Sequence, residues 1–259
     1  MMLKDNILEY VPKRPCPVAS CCFATPAEPV DVKALIPDAN LRRRMGPLLR
    51  LAAACGMAAL ENVDTGNVAG IISSTGLGFM KDTVSFADML IDRNEEMLNP
   101  SPFMQSTFNT VSGYIALLGG IRTYNTAYVH RSGGFAAALT DAMMLVEDGN
   151  VLVGGFDEAS PEVDEYRRRL GCWKRGDFLP LGEGAGFLCL GGGDNGVRIL
   201  GVHSSRSGLT CDSKVLCSSY VERLGAFFSI LPVVLCIVIG QRPQGRILVV
   251  DDVNPGGPA

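Results

Sequence analysis

A histidine, an arginine and a serine follow one another at His130, Arg131 and Ser132, on a turn between a short β-favouring stretch and a run with helical spacing. A serine hydroxyl beside an imidazole is a pairing used for acyl transfer: the imidazole takes the proton as the hydroxyl attacks. Side chains two apart on a turn rarely reach that hydrogen bond, and no third group is evident to orient the ring. The GxSxG motif of hydrolases is absent as well. The plainer reading is a polar turn, with His130 a buried histidine bonded to backbone. The position matters under either reading. A strand that feeds a helix N-terminus presents unpaired N–H groups and the positive end of the helix dipole, which lower a thiol's pKa and receive a developing oxyanion.

The elements around the turn are readable from spacing. Residues 125–129 favour a strand, and Gly133-Gly134 breaks the chain after it. Phe135, Leu139, Ala142, Met143 and Val146 then recur on one helical face, with Ala136, Ala137 and Ala138 keeping the helix thin enough for a deep core. Glu147-Asp148-Gly149 ends it, and Val151-Leu152-Val153 opens a buried strand. Upstream, Pro37-Asp38-Ala39-Asn40 supplies a turn and cap for a helix over 41–60, which Gly46-Pro47 kinks or splits. A buried strand over 68–73 leads into the small-residue turn 74–78. Helices are expected over 85–98 and 105–118, separated by a rigid break at Asn99-Pro100-Ser101-Pro102; the second is apolar at Phe108, Val111, Ile115 and Leu118. A short charged helix (163–170), strands at 186–190 and 197–202, a helix at 211–224 and a buried strand at 233–239 complete the reading. Residues 1–30 read as an irregular entry with a strand near 18–23. Strands alternating with helices imply a layered α/β fold.

Composition narrows the function. A chain of 259 residues with 30 glycines can bury a substantial core, and a net charge of −4 argues against general nucleic-acid binding. Nine cysteines form no CxxC pair, and neither His130 nor His203 has a partner at ligand spacing, so no zinc site is expected. Several cysteines sit in apolar runs, as small hydrophobes do, which points to a reducing cytoplasm without structural disulfides. No signal peptide is expected. The apolar run 226–240 falls short of the roughly 18–20 residues of a spanning helix and contains Pro232.

Other motifs carry less. Gly76-x-Gly78 after a strand reads as a tight turn rather than a phosphate site, because the third glycine and a downstream ribose acid are missing. Asp157, Glu158 and Glu183 lie near turns, where carboxylates cap helices or bind backbone amides. Arg42-Arg43-Arg44 and Arg167-Arg168-Arg169 are basic spots on an acidic protein, either solvated helix faces or docking points for an acidic partner.

Four stretches in order carry a resemblance: PFMQSTFNTVSGYIALLGG (102–120), the turn with its flanking strand and helix, VLVGGFDEAS (151–160) and LGEGAGFLCL (181–190). Together they resemble the N-terminal half of the β-ketoacyl synthase family of thiolase-like condensing enzymes. The resemblance implies a thiolase-like layered α/β/α fold, N-terminal half, with the second half truncated or incomplete. It implies an irregular entry at 1–30, a ketoacyl-synthase-like N-terminal domain over 31–225 and an incomplete start of the second half over 226–259. In that family the turn is an elbow bearing the cysteine that holds the acyl chain, and histidines of the second half assist decarboxylation. Here the elbow falls at His130, Arg131 and Ser132, and Gln241-Arg242-Pro243 follows the stretch resembling the one that leads to the first assisting histidine.

The resemblance therefore implies a non-catalytic, chain-length-factor-like partner in fatty-acid or polyketide-type synthesis, with no catalytic residue assigned. No cofactor is implied, because the substrates ride on the phosphopantetheine of an acyl carrier protein. That carrier, and a homodimer or a heterodimer with a catalytic synthase, are the implied partners, and the arginine clusters become places where an acidic carrier could dock. The alternatives are an acyltransferase using a replacement nucleophile such as Ser132, or a truncated remnant without independent activity.

Overall fold

The buried run after Asn67 becomes strand β4 (Val68–Thr75), and the sheet is built outward from it. The computed structural model describes residues 2–4, 7–130, 133–169, 182–192, 196–205, 230–241 and 245–252. Strands β1 (Met2–Lys4), β2 (Ile7–Tyr10) and β3 (Cys16–Ala24) open the chain. Helices α1 (Val32–Leu35), α2 (Ala39–Arg44) and α3 (Pro47–Ala59) precede β4. Then come α4 (Met80–Asp92), α5 (Pro100–Ser106), α6 (Thr110–Gly119), β5 (Tyr124–Val129), α7 (Gly134–Leu145), β6 (Asn150–Asp157) and α8 (Pro161–Arg169). Strands β7 (Gly184–Leu190) and β8 (Val197–Ser205), helix α9 (Ile230–Gln241) and strand β9 (Gly245–Asp252) follow.

Among the described residues nine strands form one sheet in the order β1-β2-β8-β3-β7-β6-β4-β5, with β9 paired to β8. β4 runs parallel to both β5 and β6, whereas β7 is antiparallel to its neighbours β6 and β3. Side chains alternate across this sheet and supply two cores. Ile71, Leu152 and Phe187 face α3 and α6; Ile72, Val153 and Leu188 face α7 and α9. The result is the layered α/β/α arrangement expected from the sequence. α3 is small on its sheet side (Ala52, Ala53, Cys55, Gly56), which lets it lie close to the strands.

The helix expected over 41–60 splits at Gly46-Pro47, with Pro47 opening α3 and Asp38 capping α2 through the amides of Asn40 and Leu41. The strand near 18–23 is β3, a central member of the sheet. Four expectations need correction. Residues 233–239 are not a strand but the middle of α9, a helix buried on several sides whose unbroken apolar run carries no period to distinguish it from a strand. The helix expected over 85–98 begins earlier, at Met80, and stops at Asp92 because Asn94, Glu95 and Met97 adopt positive φ. Asn99-Pro100 is not a break between helices but the start of one: the Asn99 side chain accepts the Ser101 amide and Pro100 sits in the first turn of α5. The helix expected over 105–118 divides at 107–109, where the Thr107 and Thr110 hydroxyls both bond the Met104 carbonyl and compete with the helical ladder. Phe108 consequently leaves the core; it is 43% exposed and lies across Gly78. The helix expected over 211–224 lies outside the described residues.

Candidate functional site

The parallel strands β4, β5 and β6 end together, with Thr75 opposite Val129 and Ser74 opposite Gly155. Their C-terminal ends form the edge at which open α/β sheets hold ligands, and the polar residues of interest gather there. His130 extends β5 by one further ladder bond, its amide donating to the Thr75 carbonyl at 3.1 Å. The chain then turns into α7, which has no side-chain N-cap of the usual kind at Gly133. Instead the Gly133 amide donates to Nδ1 of His130 at 2.9 Å. His130 is exposed rather than buried, yet it is bonded to backbone as expected. Arg131 and Ser132, the other two residues of the triplet, lie outside the described residues, so the structure places only His130 of the three.

Asp157, at the end of β6, organises the adjacent turn. Its Oδ1 accepts from Thr75 Oγ1 at 2.9 Å, from the Gly76 amide at 2.9 Å and from the Leu77 amide at 3.4 Å. Thr75 Oγ1 in turn accepts the Gly78 amide at 2.9 Å. One carboxylate thus holds three donors of a loop about 80 residues away in sequence, and a buried, charge-assisted cluster of this kind is rigid. Gly78 has φ of +68°, which disfavours any side chain, and an added Cβ would also meet the Phe108 ring at 2.6 Å. Gly76-x-Gly78 is therefore a tight turn closed by its own protein ligand.

The next carboxylates follow the same pattern. Glu158 accepts the Lys81 amide at 3.0 Å, near the start of α4, and pairs with Lys81 Nζ at 3.6 Å. Burial raises its pKa above the usual carboxylate value, against the pull of the Lys81 amide and charge. Glu183 accepts the Ala159 amide at 3.2 Å. All three acids bind backbone amides, as their place near turns predicts. Thr75 and Lys81 were missed from the sequence. Thr75 differs in no way from other strand-end threonines, and Lys81 joins the cluster only because α4 starts before Ser85.

On the outer side of the site, Tyr124 and Tyr128 of β5 both donate to Asp141 Oδ2 of α7, at 3.0 and 3.1 Å. Burial and the neighbouring Asp141 charge push the Tyr128 phenol up to about 12. The six cysteines described as free thiols lie on β3, α3, β7 and α9, and none is at the β5–α7 turn. Among the described residues no group of histidine, cysteine and acidic side chains is arranged to hold a metal ion, and no helix is long and apolar enough to cross a membrane.

The arginine clusters separate. Arg43 and Arg44 on α2 are exposed, with Arg43 bonded to the Asn40 side chain, whereas Arg42 turns back to the Ile36 carbonyl. Arg169 pairs with Glu165 one helical turn earlier; the side chains of Arg167 and Arg168 lie outside the described residues.

Known proteins show the same layout. No curated protein matches the sequence. Among solved structures, the ishigamide ketosynthase/chain length factor superposes with a TM-score of 0.59 at 16% identity, over 68% of this chain and 62% of that one. A ketosynthase (ApeO) in complex with its chain length factor (ApeC), from Xenorhabdus doucetiae, superposes with a TM-score of 0.54 at 18% identity, over 70% of this chain and 81% of that one. AntDE:AntF, a type II polyketide synthase acyl-carrier protein in complex with its ketosynthase bound to the hexaketide, gives 0.53 at 17%, over 68% and 62%. This chain thus spans about three fifths of the length of the first of these, and the likeness establishes a thiolase-like fold. The model of the β-ketoacyl synthase N-terminal domain matches residues 17–171, a stretch that runs from β3 through the β5–α7 elbow to the end of α8. The chain belongs to the β-ketoacyl synthase family, with that N-terminal domain as its matched part.

Proposed function

We propose that this chain is a non-catalytic, chain-length-factor-like partner of a cysteine-bearing ketoacyl synthase in fatty-acid or polyketide-type synthesis. The observation that carries the reading is the elbow itself. The strand, turn and helix that would mount a nucleophilic thiol are present, but the turn carries His130, Arg131 and Ser132, and the His130 ring is engaged by the Gly133 amide. A thiol at such a place would gain from the α7 dipole and the free amides of its first turn; a ring that consumes one of those amides offers no nucleophile in exchange.

The outer edge of the domain supports a partner. β5 ends the sheet, so its far side is an unpaired strand edge among the described residues. Around it Tyr124, Val129, Leu117 and Met144 are exposed by 47%, 42%, 67% and 54%. An apolar rim along an open edge is what a two-fold related subunit covers. The exposed Arg43 and Arg44 at the end of α2 supply a basic point for an acidic carrier protein. In this reading the substrates stay on the carrier's phosphopantetheine, and the chain needs no cofactor of its own.

The test is co-expression with a full-length, cysteine-bearing ketoacyl synthase. Recovery of a stable heteromer of defined stoichiometry is expected. A chain that stays a solitary monomer beside every such synthase contradicts the proposal.

A further inference from the structure

Helix α4 is apolar on two faces. The face with Phe86, Met89 and Leu90 turns toward α5, where the Phe86 ring centroid lies 5.2 Å from that of Phe103. The opposite face carries Met80, Val84, Ala87 and Ile91, spaced four, three and four residues apart. That is the spacing by which one helix lays a seam along another. No residue of α4 or α5 is buried, and Ala87 and Ile91 are exposed, Ile91 by 75%. An apolar seam left in water marks a surface fit for a second helix.

The two helices are fixed at both ends. At their root Phe79 stacks on Phe156 at 5.3 Å, and Glu158 holds the Lys81 amide. Gln105 bonds the Gly46 amide at 2.7 Å and the Arg44 carbonyl at 2.8 Å. At their tip the Arg93 guanidinium donates to the Met97 carbonyl and the Glu95 amide to the Leu90 carbonyl, both at 3.0 Å. The seam therefore stands on a preformed support, which lowers the ordering cost of docking.

Charge selects the occupant. Lys81 flanks the root end of the seam, and its side chain stays 52% exposed while paired with Glu158. Asp88 and Asp92 lie on the same flank toward the tip, with Glu95 and Glu96 beyond them and Arg93 folded back onto Met97. Asp82 is on the far side of the helix, facing Gly46. A like helix running in the same direction would set acid against acid. One running in the opposite direction sets Lys81 against Asp88, and across a two-fold axis that pair forms twice. We propose that α4 docks antiparallel onto α4 of a second copy of this chain, with Val84 of each copy opposite Ala87 of the other. The contact uses a different element from the β5 edge, so it stands whether or not a synthase binds there.

The test is sedimentation of the purified full chain over a concentration series, beside Ile91→Glu, Asp88→Lys and Leu117→Glu. A reversible dimer is expected, weakened at least about tenfold by Ile91→Glu, which places a carboxylate on the seam, and by a smaller factor in Asp88→Lys. Leu117→Glu, at the β5 edge, should leave this dimer intact. All three variants should melt with the wild type, because each position is exposed. Carbodiimide coupling of mixed light and heavy-isotope chains reads the orientation, through a link from Lys81 of one copy to Asp88 of the other. A monomer at every concentration, a dimer unchanged by Ile91→Glu, one lost in Leu117→Glu, or one without that link between copies would overturn the proposal. So would association with a synthase alone.

Discussion

The Gly133 amide donates to Nδ1 of His130 at 2.9 Å, and this bond closes the turn where β5 runs into α7. An N-terminal amide that could otherwise receive an anionic intermediate is satisfied by the protein's own ring. Beside it Asp157 does the same for the neighbouring turn, binding the Gly76 and Leu77 amides. Along this edge the Gly76, Leu77 and Gly133 amides thus each have a side-chain acceptor within the protein.

Asp157 is the residue on which the turn after β4 depends. Asp157→Ala removes one acceptor from three donors and leaves the buried Thr75 hydroxyl and two amides to find others. The expected loss is about 3 kcal/mol in urea unfolding, since hydrogen bonds to a charged acceptor and buried donors left unsatisfied both count. Thr75→Val should cost less, about 1–2 kcal/mol. The double variant should fall short of the sum, because the two side chains share one bond.

The tyrosines of β5 give a spectroscopic handle. Tyr128 should ionise at about 12, against 10.0 for a free tyrosine, because burial and then the Asp141 carboxylate oppose a phenolate. The folded value is the raised one, so this group stabilises the fold fully below pH 10.0 and the contribution is lost as pH rises from there through about 12. Phenolate absorbance during an alkaline titration measures it. Asp141→Asn should bring both Tyr124 and Tyr128 down, since the same carboxylate accepts from both.

How far the sequence could be read depended on whether the deciding contact was local. The β5–α7–β6 unit was clear because a period-two stretch, a glycine pair and a 3.6-residue apolar face follow one another within about thirty residues. α9 reads as a strand in the sequence because a helix covered on most sides has no polar face to mark its turns. The break between α5 and α6 depends on threonine hydroxyls that bond a carbonyl up to six residues away, a choice that spacing does not reveal. The Asp157 cluster joins residues eighty or more apart, so the sequence assigns its acid to backbone amides in general but not to Gly76 and Leu77.

Gly186 explains part of the glycine-rich GEGAG stretch. A Cβ there would stand 2.6 Å from the Pro232 carbonyl carbon and the Val233 nitrogen of α9, both of them backbone atoms that cannot swing aside. Gly186→Ala should therefore push α9 off β7, with an expected loss of about 1–3 kcal/mol. Hydrogen exchange checks the location: protection should fall in α9 first, and a variant with unchanged α9 protection would contradict this role.

The partner surface is tested by Leu117→Glu. Leu117 projects from α6 near the open β5 edge and is 67% exposed, so the isolated chain should melt within about 1 °C of the wild type, as surface changes usually do. Placed in a subunit interface, the buried carboxylate should weaken association with a synthase at least about tenfold. Unchanged association, measured by analytical ultracentrifugation of the purified pair, would move the interface elsewhere.

The most direct measurement is intact-mass analysis after incubating the chain with an acyl thioester of an acyl carrier protein, beside an authentic cysteine-bearing synthase as the positive control. The non-catalytic account predicts that the synthase gains the acyl mass and this chain does not. An acyl adduct on this chain that maps to Ser132 and disappears in Ser132→Ala would contradict it, and would establish an acyltransferase with a replacement nucleophile at the elbow.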